Sequence, residues 1–274
     1  MPKVAVVTGS NKGIGLAIVR GLCKKFDGDV LLTARNEERG RAAVQKLQSE
    51  GLNPKFHLLD ICCSDSIKIL AEYLKKEYGG LDVLVNNAAI AYKNADTAPF
   101  SEQAENTIKV NFFATLSVCH ELFPLLRPHA RVVNVTSSCG KLSFITSNEL
   151  RQKFLSESLT EDELCNLMNQ FVVDAKSDTH QQNGWGNSAY CVSKIGVNAL
   201  TFMQHRKFLE DPRADIVINA VHPGYVDTDM SSHKGPLTPD QGAEAPIYCA
   251  LLPQSAEIPR GKFIWNDKKV AAWL

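Results

Sequence analysis

A chain of 274 residues, 44% of them apolar, can bury one substantial core, and its 30 basic residues balance 30 acidic ones. With no net field and no basic run carrying interleaved aromatics, nucleic acid is excluded as an expected partner. No apolar stretch is long enough to cross a bilayer and the first residues lack a signal-peptide layout, so a cytoplasmic location away from membranes is expected.

Short apolar runs alternate with longer segments of helical period. In chain order the pattern predicts a strand at 4–8, a helix at 13–26, a strand at 30–35, a helix at 37–50, a strand at 55–60 and a helix at 64–78. It continues with a strand at 83–86, a helix at 103–126, a strand at 131–137, a helix at 189–207, a strand at 216–222, a helix at 241–251 and a strand at 262–265. Repeated βα units of this kind build a parallel sheet. The expected fold is α/β: a single doubly wound, Rossmann-type domain over residues 1–274, with a seven-stranded parallel sheet and helices on both faces. No internal repeat or low-complexity linker marks a second domain. One stretch, about 141–186, breaks the rhythm and reads as a helical insertion. Within it Thr160-Glu161-Asp162-Glu163 is a capping box. Leu164, Leu167, Met168, Phe171, Val172 and Ala175 follow at helical spacing, an apolar stripe that should fold back onto the domain.

Directly after the first strand, Thr8-Gly9-Ser10-Asn11-Lys12-Gly13-Ile14-Gly15 leads into a helix. A helix start offers unpaired N–H groups and partial positive charge, and glycines let a phosphate approach the backbone, so this segment is suited to a dinucleotide's pyrophosphate. Lys12 precedes the last two glycines and no Ser or Thr follows them, which argues against a nucleotide triphosphatase loop. The eight cysteines include the neighbours Cys62 and Cys63 but no C-x-x-C and no His at ligand spacing, so no metal site is expected. They read as free thiols, with Cys191 the one to watch for reaction with electrophiles.

Tyr190 and Lys194 lie four apart on one predicted helix face. An unperturbed phenol titrates near about 10, and an ammonium beside it favours phenolate, so the pair could act as an acid/base unit. Ser137 ends the fifth predicted strand, at the rim where ligands bind in such sheets, and its hydroxyl could hydrogen-bond a substrate oxygen. Asn86-Asn87-Ala88-Ala89 closes the strand before it, Asn111 is a polar residue amid an apolar helix, and Pro223-Gly224 follows the sixth strand.

Through these motifs in this order, over nearly the whole chain, the sequence resembles the short-chain dehydrogenase/reductase family, and within it most closely the monomeric NADPH-dependent carbonyl reductases. That resemblance implies that Tyr190 donates a proton to a carbonyl oxygen oriented by Ser137. It also implies that Lys194 holds the ribose hydroxyls and lowers the Tyr190 pKa, and that Asn111 supports a water-linked proton relay to Lys194. It gives Gly9, Asn11, Lys12, Gly13, Ile14 and Gly15 to the cofactor's phosphates, Asp60 and Ile61 to the adenine, and Asn87 to the adenosine ribose side. Tyr190 and Lys194, with Pro223, Gly224, Val226 and Thr228, fall at the nicotinamide end. The family usually has Gly where this chain has Ala89, which adds a methyl near the cofactor.

The second strand ends Thr33-Ala34-Arg35 with no acid until Glu37, so Arg35 and Lys12 point to a 2′-phosphate and hence to NADPH. Fifty-three positions separate Ser137 from Tyr190, far more than in the oligomeric members the resemblance brings to mind. An amphipathic insertion could cover the face that a partner subunit covers there, which predicts a monomer. Ser138, Cys139, Trp185, Tyr225 and Met230 are expected to wall the substrate pocket. Apolar or small residues without a committed charge suit hydrophobic aldehydes, ketones and quinones. Two alternatives remain: an NAD(P)-dependent dehydrogenase oxidising a hydroxylated lipid, and a non-catalytic protein that senses NADPH.

Overall fold

The computed structural model describes residues 1–93 and 95–274. Seven strands form one parallel sheet in the order β3-β2-β1-β4-β5-β6-β7. They are β1 (Val4–Val7), β2 (Asp29–Ala34), β3 (Lys55–Leu58), β4 (Leu81–Asn86), β5 (Leu126–Val135), β6 (Val217–Val221) and β7 (Phe263–Ile264). Both faces of the sheet are covered, which is why the strands read as unbroken apolar runs. Along β1, Ala5 and Val7 join one core with α1 (Gly13–Lys25), α2 (Glu37–Ser49) and α9 (Pro239–Ala250). Val4 and Val6 face the opposite core, with α3 (Ser64–Glu77) and α5 (Thr115–Leu122). This is the two-residue alternation of a pleated strand buried on both sides.

Two predicted elements are corrected and one is added. The helix expected at 103–126 is α4 (Phe100–Ile108), a π-helical stretch Lys109–Ala114, and α5, which ends in a short 3-10 turn at Phe123–Leu125. Pro124, which lacks an N–H and clashes with the preceding turn, stops the helix, and Leu126 already pairs with Leu81 as the start of β5. The last helix begins at Pro239 rather than 241, because Thr238 and Gln241 cap it reciprocally. The insertion holds an unpredicted helix, α6 (Asn148–Leu155), whose N-cap Ser147 accepts from the Leu150 amide.

The predicted capping box opens α7 (Glu161–Lys176): Thr160 accepts from the Glu163 amide at 3.3 Å while the Glu163 carboxylate accepts from the Thr160 amide at 2.8 Å. Of its stripe, Leu164, Met168, Phe171 and Ala175 are buried, with Leu167 and Val172 packed partly over them. They join a third core with α4 and with α8 (Ala189–Leu209). Gly196 of α8 lets α7 come close, since a Cβ there would stand 2.5 Å from the Met168 sulfur. The insertion is therefore packed across the helix that carries Tyr190. Among the described residues no helix is long and apolar enough to cross a membrane.

Candidate active site

The sheet changes winding direction between β1 and β4, which opens a crevice at their carboxyl ends. The glycine loop lies there. Gly9 and Gly13 adopt φ of +59° and +56°, a left-handed conformation that side chains disfavour. Gly15 is required by packing, because a Cβ would lie 2.5 Å from Asn87 Nδ2 and 2.8 Å from the Ser10 Cα. The Asn87 side chain donates to the carbonyls of Thr8 and Gly9, both at 3.0 Å, and the Thr8 hydroxyl accepts from the amides of Asn87 and Ala88, also at 3.0 Å. The two rim segments thus brace each other. Ala89 does not adopt a positive φ, so the methyl that departs from the family pattern brings no backbone strain.

Helix α1 starts with no side-chain cap and no acid in its first turn, which leaves N–H groups free for an anion. Asn11 and Ile14 are half-buried on the same loop, and Ile61 is buried beside the half-buried Asp60, whose carboxylate accepts from the Cys62 amide at 2.9 Å. Arg35 is exposed directly after β2, where Ala34 puts no carboxylate. Lys12 pairs with Asp229 at 2.6 Å, but both side chains are more than half exposed, so the pair is weak and readily displaced by a doubly charged phosphate. From β6 the chain turns through Pro223 and Gly224 (φ +90°), buries Val226 in a bridge to Leu237, and lays Thr228 against Gly13. A cradle that Cβ atoms would fill, an uncapped helix start and a cation at the end of β2 fit NADPH.

Ser137 leaves β5 into a 3-10 turn, Ser138–Gly140, which docks on α8. A Cβ at Gly140 would meet Asn198 Nδ2 at 2.6 Å, and that amide donates to the Gly140 carbonyl at 3.0 Å. The same helix carries Tyr190 and Lys194 in its first two turns. Lys194 is 4% exposed, donates to the Val135 carbonyl at 2.9 Å, and lies 5.6 Å from the centre of the Tyr190 ring. Burial lowers the lysine's pKa to about 8.

The tyrosine departs from expectation. Burial pushes the phenol up, the nearby Cys139 and Cys191 thiols add to this, and only the Ser137 hydroxyl pulls it down. Lys194, bonded to the Val135 carbonyl and 5.6 Å from the centre of the Tyr190 ring, is not among the causes of that shift. Tyr190 is therefore held protonated at neutral pH.

Asn111, 1% exposed, sits in the π-helical stretch. It accepts from the Ile90 amide at 2.8 Å and donates to the Ile90 carbonyl and the Ser193 hydroxyl, each at 3.0 Å. It ties the exit of β4 to α8 and makes no direct bond to Lys194 in this structure. Wider turns of this kind recur where a side chain must be re-aimed.

Of the expected pocket residues, Ser138 and Cys139 are half-buried beside Ser137, and Tyr225 and Met230 are exposed. Trp185 is a correction: it is 1% exposed and donates from Nε1 to the buried Asp174 carboxylate at 2.8 Å, so it packs the insertion instead of walling a pocket. Sequence reasoning passed over His222. Its Nδ1 accepts from the Ser138 amide at 2.9 Å, its ring lies against Trp265, and burial, then the Lys141 charge, hold it neutral with a pKa of about 4. Its place before Pro223-Gly224 at a strand end was the available signal. Trp273, whose Nε1 donates to the Gly140 carbonyl at 2.7 Å, gave no local signal, because the two residues are 133 positions apart.

A Rossmann-type sheet with Ser, Tyr and Lys gathered at its carboxyl rim defines a dinucleotide-dependent oxidoreductase scaffold. The family profile described as short chain dehydrogenase matches residues 3–148 and 169–237, and the chain belongs to that family. Carbonyl reductase [NADPH] 1 of Bos taurus is 56% identical over 272 residues, covering 98% of each chain. Among solved structures, salutaridine reductase from Papaver somniferum superposes with a TM-score of 0.87 at 32% identity, over 95% of this chain and 99% of that one. An NADPH-bound carbonyl reductase from chicken fatty liver gives 0.71 at 25% identity, over 100% and 99%.

Proposed function

We propose that this chain reduces carbonyl compounds to alcohols with NADPH, taking hydrophobic aldehydes, ketones and quinones. One observation carries the reading: Ser137 leads into the turn that docks on α8, the helix that carries Tyr190 and Lys194, at the same carboxyl rim as the glycine loop. A phenol placed there can give the proton that carbonyl reduction requires. Relatives named as NADPH carbonyl reductases favour the reductase over a dehydrogenase working on a hydroxylated lipid, and a site with its proton donor in place is at odds with a passive NADPH sensor. The relatives described above support the same reading.

Gly9, Gly13 and Gly15 with the start of α1 would hold the pyrophosphate, Arg35 and Lys12 the 2′-phosphate, and Asp60, Ile61 and Asn87 the adenosine. Bound there, NADPH supplies the hydride. Ser137 orients the carbonyl oxygen, and Tyr190 gives that oxygen its proton as negative charge develops. Lys194 would bond the ribose hydroxyls, and Asn111, through Ser193 and the Ile90 backbone, keeps α8 in register with the β4 exit. Tyr225 and Met230 present exposed apolar surface to the substrate. NADPH consumption with a panel of quinones, aldehydes and ketones tests the reading; no turnover of any of them overturns it.

Two finer statements belong to the same proposal. Cofactor choice rests on Arg35, so Ala34→Asp with Arg35→Ala is expected to move the ratio of kcat/KM for NADPH over NADH by at least about tenfold toward NADH, the effect of losing roughly 1.4 kcal/mol of phosphate pairing. An unchanged ratio would remove Arg35 from the cofactor site. The insertion buries an apolar face of α4 and α8 that an oligomer could otherwise use, and the proposal therefore includes a monomer, with a cytoplasmic location. Light scattering is expected to give the mass of one chain, and a stable tetramer at low concentration contradicts it.

A further inference from the structure

The Ser138–Gly140 turn is gripped at both ends by residues far from it in the chain. Beyond β7 the backbone reverses near Lys268, which has φ +69°, and returns antiparallel: Ile264 bridges Val270, the Trp265 amide donates to the Lys269 carbonyl at 2.8 Å, and the Ala271 amide to the Phe263 carbonyl at 2.8 Å. Trp273 then crosses to the turn. Its Nε1 donates to the Gly140 carbonyl at 2.7 Å, its own carbonyl accepts from the Leu142 amide at 2.8 Å, and its ring packs edge-on against Phe202 of α8, the ring centroids 5.0 Å apart. At the other end His222 Nδ1 accepts from the Ser138 amide at 2.9 Å. That imidazole is fixed in turn by Trp265, whose ring centroid is 4.3 Å away, and by its own backbone amide, which donates to the Ile264 carbonyl at 2.8 Å. The remaining amides of the turn stay local: Cys139 donates to Ser137 Oγ at 3.2 Å and Gly140 to the Ser137 carbonyl at 2.8 Å. The Ser137 hydroxyl therefore accepts one bond from the turn and keeps its own hydrogen for another oxygen.

We infer that His222 and Trp273 are positioning residues that clamp the Ser138–Gly140 turn and so aim the Ser137 hydroxyl at the substrate oxygen. The inference rests on the reductase reading for its effect on turnover, whereas the clamp itself is a property of the fold. Both residues act through the turn: each satisfies a backbone group that flanks Ser137, and losing either partner leaves that group unpaired or lets the turn move to find another. A hydroxyl that must meet developing charge has to be held in place beforehand by the groups behind it. A misplacement of about 1 Å is enough to cost about 100-fold in rate. The Gly140 carbonyl also takes the Asn198 side-chain amide at 3.0 Å, so losing the Trp273 donor loosens the turn less than losing the His222 acceptor.

Steady-state kinetics and amide hydrogen exchange on the full chain test this together. His222→Ala is expected to lower kcat for a ketone about 100-fold, with KM and NADPH affinity changed by less than about threefold, because the lost interaction belongs to the transition state. Trp273→Phe keeps a ring against Phe202 and removes only the N–H, and is expected to cost about tenfold in kcat in the same sense. His222→Asn, whose Oδ1 can accept near the place of Nδ1, is expected to recover most of the loss. Exchange over residues 138–144 is expected to quicken in His222→Ala and Trp273→Phe and to slow again in His222→Asn, while the glycine loop keeps the parent's rates. Unchanged exchange in both variants overturns the clamp. Faster exchange with kcat intact overturns the aiming of Ser137, as does a loss of NADPH affinity that runs parallel to kcat. Should His222→Ala fail to fold, Trp273→Phe carries both measurements. A parent chain that reduces no carbonyl compound sinks the reductase reading alone, and the exchange rates then decide the clamp by themselves.

Discussion

Tyr190→Phe is expected to lower kcat/KM for a ketone by roughly 10²- to 10⁴-fold, the span usual for removing a positioned proton donor. The change deletes one oxygen from a side chain whose ring packs by Lys194, so the fold stays intact and NADPH affinity falls far less than turnover. The phenol is the group whose loss separates binding from chemistry. Its titration lies above the ordinary value, so the acid form persists from mildly acidic through neutral pH and the reductive rate is expected to stay level there. Initial rates across pH, with NADPH titrated by fluorescence, check both statements. Full turnover by the phenylalanine variant shows that another group supplies the proton.

Asp215→Ala is expected to cost about 3–5 kcal/mol of stability, because it leaves a buried charge without its partner. Asp215 lies just before β6, at the end of the sheet opposite the rim. Its carboxylate takes Arg131 at 3.0 Å, Arg260 at 2.6 Å, His129 at 3.0 Å and the Ser255 amide at 2.9 Å, and Arg131 is only 3% exposed. Burial by itself would raise this carboxyl, but the Ser255 amide, His129, Arg260 and Arg131 overcome that and hold it far below the usual range. A folded pKa below the unfolded value of about 3.9 means that the contribution is fully present above that pH. It is lost only as pH falls through the folded value, so the parent chain weakens on the acid side and the variant loses that part of its pH dependence. Urea unfolding at neutral pH and below about pH 4 measures this, and a variant as stable as its parent at neutral pH refutes it. Stability and chemistry are thereby assigned to opposite ends of one sheet.

Much of this was legible in the residues. Strands β1 and β6 are short apolar runs because they are buried on both faces, and Thr160-x-x-Glu163 announces its helix because a capping box is closed by residues three apart. Gly9, Gly13 and Gly15 mark the glycine loop because backbone conformation and close approach exclude side chains there. What failed to show were contacts between distant segments. The break in the predicted helix at 103–126 follows from Asn111 bonding back to Ile90 and across to Ser193. Trp185 is aromatic at a pocket's expected distance in the chain, and nothing local tells that its indole N–H has the Asp174 carboxylate for a partner.

The amino-acid sequence by itself determined the order of βα units, the glycine loop, and the set Ser137, Tyr190 and Lys194, because strand period, helix caps and motif spacing are properties of neighbours along the chain. Only the tertiary structure decided their electrostatics: burial raises the Tyr190 phenol and lowers the Lys194 ammonium, which donates to the Val135 carbonyl. Titration depends on burial and on charges that arrive from other elements, and these exist only once the sheet has gathered its loops at one rim.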